Sequence, residues 1–129
     1  MKKLVLFFVL ISALSIKAKA ENRIDSGLYR VTVKGDVYYY RFHHDSLLTI
    51  THGKDTSYVI YSTDTTQKPM HFNMKVMDVQ GNHLYTSPCI FEMFGPKRIR
   101  LKMSPNFRDR PTSFLPRGSQ DMIFLVKVE

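Results

Sequence analysis

Met70-His71-Phe72-Asn73-Met74-Lys75-Val76-Met77 is the stretch on which the fold turns. Met70, Phe72, Met74 and Val76 fall on one side, and His71, Asn73 and Lys75 on the other. A period of two is what a pleated strand imposes, and one dry face is what an antiparallel sheet needs. The same reading extends in both directions. Upstream, Leu28–Val33 alternates, with Tyr29, Val31 and Val33 on the apolar side, and Lys34-Gly35-Asp36 turns the chain. Val37–Phe42, Ser46–Thr51 and Thr56–Ser62 follow as further β-rich runs, with a turn at Gly53-Lys54-Asp55. Downstream, Gln80-Gly81-Asn82 is a turn. His83–Tyr85 and Cys89–Phe94 flank Pro88, which predicts either one bent strand or two short ones. Arg98–Met103 places Ile99, Leu101 and Met103 inside and Arg100 and Lys102 outside. A long proline-containing connection, Ser104 to Gln120, leads to a last strand at Met122–Val128. Short strands punctuated by turns, about eight of them, predict an all-β fold: a small antiparallel barrel.

The chain has 129 residues, 43% of them hydrophobic and 23% charged, a globular composition. The length suits one domain and excludes a (β/α)₈ barrel, which needs about 200 residues or more. Residues 1–20 read as a secretory signal peptide: a basic start at Lys2-Lys3, an apolar run from Leu4 to Ile16, and a small-x-small cleavage signal at Ala18-Lys19-Ala20. The apolar run is short of the roughly 20 residues a membrane span requires, so no stable membrane insertion is expected after cleavage. The folded domain is then 21–129, exported to the periplasm or the extracellular space. Cleavage also removes four of the nineteen basic residues, lowering the net charge from +8 to +4. The remaining positive charge lies in residues 95–129, which reads first as a solvated face that aids solubility and otherwise as suited to an anionic envelope component or protein partner. The one cysteine, Cys89, sits in an apolar run and is read as a buried, inert thiol.

The sequence offers no reaction. The five histidines lack metal-ligand spacing, and adjacent His43 and His44 would point to opposite faces of a strand. There is no Gly-x-Ser-x-Gly elbow, no carboxylate pair and no glycine-rich phosphate cradle. Neither a metal nor a cofactor is expected. Tyr38–Tyr40 beside Arg98, Arg100 and Lys102 has the ingredients of nucleic-acid stacking, but alternation turns part of the triplet into the core, and export argues against such a partner.

Asp64 to Phe72, with its Lys68-Pro69 pair leading into an alternating strand, resembles the entry to a central strand in small bacterial lipocalin-like domains. Ile90-Phe91-Glu92 is similar to that family's Ile-Tyr-Glu strand, and Arg110-Pro111-Thr112-Ser113-Phe114 matches its Arg-Pro-Thr-x-Phe signature. The resemblance spans roughly residues 58–129; the family's opening Gly-x-Trp has only Gly27-Leu28-Tyr29 to stand for it. It implies a lipocalin-like barrel and no defined biochemical role. Arg110, Pro111, Thr112 and Phe114 are expected to form a structural clasp, with Phe114 plugging one end of the barrel and the Arg110 fork on exposed carbonyls or a carboxylate.

Two non-enzymatic functions follow. In the first, a small apolar ligand sits in the barrel, lined by Tyr39, Phe72, Met74, Ile99, Leu101 and Phe124, chosen by alternation. In the second, the protein is an envelope interaction or inhibitor-like module acting through its outer surface. An interior filled by its own Met, Phe and Tyr side chains favours the second.

Overall fold

The computed structural model describes residues 24–44, 46–115 and 121–129; the proposed signal peptide lies outside them. All regular structure among the described residues is β. Eight strands run β1 (Gly27–Val33), β2 (Asp36–Phe42), β3 (Leu47–His52), β4 (Asp55–Asp64), β5 (Met70–Met77), β6 (His83–Met93), β7 (Arg98–Lys102) and β8 (Met122–Lys127). Each pairs antiparallel with the next, and β8 returns to β1, closing a barrel. The chain is therefore an all-β, eight-stranded, up-and-down antiparallel barrel. No helix among the described residues is long and apolar enough to cross a membrane.

Register follows the alternation seen in β5. Phe72, Met74 and Val76 are buried while Lys75 is exposed. Their partners share the inner face: Val76 opposite Val59, Met74 opposite Tyr61 and Phe72 opposite Cys89. The seam joining the first and last strands is held by the pairs Tyr29 with Lys127 and Arg30 with Val126, and by Leu28 N–H donating to the Glu129 carbonyl at 3.2 Å. Gly27 has φ +143° there, and a Cβ would run into the Glu129 carbonyl. Only glycine meets both demands.

β6 runs unbroken from His83 to Met93 through Pro88. The proline is tolerated because the last β6–β7 pair is Ile90 with Lys102, so at Pro88 no β7 strand lies alongside to need its missing N–H. Two inside–outside expectations are corrected. Tyr39 and Phe124 are 41% and 47% exposed and stand on the outer wall. In β2 the inward set is Tyr38, Tyr40 and Phe42, and in β8 it is Ile123 and Leu125. Lys102 does point outward, as expected, but it is buried because the connection after β7 folds back over it.

Candidate functional site

Eight strands enclose a space that side chains either fill or leave for one small ligand. Here a cluster of aromatic rings lies inside it. Phe42 meets Tyr29, Tyr61 and Phe72 edge-on, with centroids 5.3, 5.2 and 6.3 Å away. Tyr61 stacks on Phe72 at 5.5 Å, and Phe72 meets Phe91 at 6.0 Å. Such ring pairs prefer these edge-to-face and offset geometries. Four of the residues expected to line a pocket, Phe72, Met74, Ile99 and Leu101, do converge inside the barrel, each at most 2% exposed. They are part of this packed cluster. Four surface grooves of about 300 to 430 Å³ include none of these residues.

The Arg-Pro-Thr-Ser-Phe segment lies on the outside. Arg110 donates from Nη1 to the Cys89 carbonyl at 2.7 Å and from Nη2 to Asn73 Oδ1 at 2.5 Å. Cys89 is one residue beyond the last β6–β7 pair, so the guanidinium serves a carbonyl with no β7 residue opposite it. Lys102 Nζ donates to the carbonyls of Ser113 at 3.1 Å and Leu115 at 2.5 Å. Two cations thus strap residues 104–115 across the wall of β5, β6 and β7, burying outward Ile90 and half-burying its register partner His71. Thr112 is exposed. Phe114 does not plug the barrel end. The Arg100 guanidinium sits over its ring, 4.0 Å from the ring centroid, and 5.2 Å from that of Phe94. Arg100, paired with Glu92, points outward from β7 and so draws the ring to the wall. Phe114 also borders a groove of about 300 Å³ with Lys68, Pro69, Met70, Phe91 and Glu92.

The chemistry-bearing side chains stay apart. His43 meets the Thr49 hydroxyl at 3.0 Å, His83 the Thr86 hydroxyl at 2.9 Å, and His52 stacks on Tyr38 at 4.3 Å. No group of three His, Cys, Asp or Glu suited to a metal occurs among the described residues. Burial pushes the Cys89 thiol up, against the weaker pull of Ser87, Ser104 and Arg110. A thiol so held is a poor nucleophile.

What sequence reasoning missed is the outer wall of β7, β8, β1 and β2. Register places Arg98 beside Val126, Val126 beside Arg30, and Arg30 beside Tyr39. The row continues through Thr51 to Thr56. Phe124, opposite Arg100, stands two residues along β8 from Val126. The signal for Tyr39 was present in Arg41 and Phe42: a charged residue at 41 fixes the odd positions of β2 outward. Nothing comparable marks β8, where Ile123, Phe124, Leu125 and Val126 are all apolar. No known protein family, no curated protein and no solved structure matches this chain.

Proposed function

We propose that this chain is an exported, non-enzymatic interaction module that works through its outer surface, as a lipocalin-like barrel whose interior serves only as core. The observation that supports the reading is the ring cluster from Tyr29 through Phe42, Tyr61 and Phe72 to Phe91, packed edge-on and offset inside the barrel. Two large rings chosen as pocket walls, Tyr39 and Phe124, instead face solvent. Exposed aromatic and arginine side chains are those that recur at recognition surfaces. Export rests on the leader and Ala18-Lys19-Ala20. The lipocalin-like placement rests on the Arg-Pro-Thr-Ser-Phe resemblance together with the closed eight-stranded meander.

The test is a titration of folded protein with a hydrophobic fluorescent dye, beside Leu101→Trp. A filled interior gives no saturable interior binding, and Leu101→Trp destabilises by roughly 1–3 kcal/mol, as overpacking does. Saturable binding that Leu101→Trp abolishes at unchanged stability would overturn the reading and return the interior to an apolar ligand.

A further inference from the structure

Four arginines lie on strands. Arg41 is paired with Glu129 at 3.3 Å, and Arg100 with Glu92. Arg30 and Arg98 are exposed and make no ion pair among the described residues. They flank the same residue, Val126, on neighbouring strands. With strands about 4.8 Å apart, their backbones stand about 10 Å from each other, and Tyr39 continues the line about 5 Å further on. The outward positions of these four strands are Leu28, Arg30, Thr32, Val37, Tyr39, Arg41, Arg98, Arg100, Lys102, Met122, Phe124 and Val126; none is a carboxylate. The strand positions facing outward on this wall carry basic charge only, with Glu129 and Glu92 paired to Arg41 and Arg100 at its borders, and two exposed rings, Tyr39 and Phe124, stand among them.

We propose that this wall binds a linear acidic polysaccharide, with Arg30 and Arg98 on its carboxylates and Tyr39 and Phe124 under its sugar faces. The proposal rests on the outer-surface reading and names its partner. A guanidinium is a planar fork that matches a carboxylate in two parallel hydrogen bonds. An exposed ring presents a negative face to the polarised C–H bonds of a sugar. A repeating chain offers charge and ring at fixed intervals, as the row does, and Thr51 and Thr56 extend it with hydroxyls. A peptide gains less here: a closed barrel leaves no free strand edge along this wall for backbone pairing. A bilayer needs apolar side chains that reach about 5–10 Å inward, whereas Tyr39 and Phe124 project from strand centres within the wall.

The experiment is calorimetric titration of the folded protein with alginate oligomers, which are linear uronic-acid chains, at two salt concentrations. Dextran, phosphatidylglycerol vesicles and a single-stranded oligonucleotide run beside them. The expected result is saturable alginate binding that weakens with salt, and none to dextran. The double variant Arg30→Gln/Arg98→Gln should lose about tenfold in affinity, the product of two exposed charge contacts. Tyr39→Ala should lose affinity with the salt dependence unchanged, and Lys75→Gln, off the row on β5, should bind as the parent does. Melting temperatures identify any variant that fails to fold. Alginate bound no better than dextran, equal loss in Lys75→Gln and the arginine double variant, or binding confined to vesicles or to the oligonucleotide would overturn the proposal. If alginate fails while the hydrophobic dye also finds no interior site, the polysaccharide falls and the outer-surface reading stands. Dye binding blocked by Leu101→Trp overturns the outer-surface reading.

Discussion

Tyr29 and Tyr40 put phenols into a barrel that has little water to offer them. Tyr29 donates to the Asp25 carbonyl at 3.1 Å, and its pKa is pushed up from 10.0 to about 12, by burial first, then by Asp25 and Tyr61. Tyr40 is raised in the same direction, by burial and then by Cys89. Both groups ionise first in the unfolded chain. Their stabilisation is therefore complete below pH 10 and is lost as pH rises toward 12. Alkaline unfolding followed by circular dichroism should show that loss, and Tyr29→Phe should make the curve shallower. An unaltered slope would place the alkaline sensitivity elsewhere. At the same scale, Phe72→Ala should cost roughly 3–5 kcal/mol in denaturant unfolding, because its ring touches three others. Lys75→Ala, exposed on the same strand, should cost less than about 0.5 kcal/mol. Equal costs would contradict the register. That register was legible because polar and apolar residues alternate strictly in β5. Tyr39 was misplaced because three identical tyrosines carry no alternation of their own, and Phe124 because β8 is apolar on both faces.

Among the elements, the strap formed by residues 104–115 is the least regular and depends most on individual side chains. Its hold on the wall comes from Arg110 and Lys102, each donating to backbone carbonyls, and from Phe107, whose ring lies 4.7 Å from that of Tyr85 on β6. Arg110→Met should leave the Cys89 carbonyl unserved and destabilise by about 1–3 kcal/mol. Limited proteolysis should then cut within 104–115 much sooner than in the parent; cleavage at the parent's rate would mean that Arg110 does not hold the strap. The strap's place was hidden from the sequence for a physical reason. Proline, serine and charged residues mark a connection, but they do not say which wall it covers. That is settled by β7 ending at Lys102 while β6 continues back to His83, which leaves outward Ile90 and the Cys89 carbonyl to be covered.

At the scale of the molecule, the period-two runs specified architecture, and a single chain of this length closed it into a barrel. The proposed binding wall was less legible, because it joins residues brought side by side across strands: Arg30 and Arg98 are remote in sequence and meet only through Val126. Export is open to direct measurement. Mass spectrometry of protein from the native host should find Glu21 at the N-terminus, and an intact Met1 would remove the basis for placing the protein in the envelope. The order of the strands also sets how fast the molecule forms. Seven of the eight pairings join consecutive strands and can zip up as local hairpins in microseconds. The eighth, between β1 and β8, links opposite ends of the described chain through two registered pairs and must bear the entropy of closing the largest loop. Refolding should wait on that seam. Substitutions in the β3–β4 hairpin, which is formed before the seam closes, should then act mainly on the folding rate, and those at Arg30 or Val126, whose contacts form last, mainly on the unfolding rate.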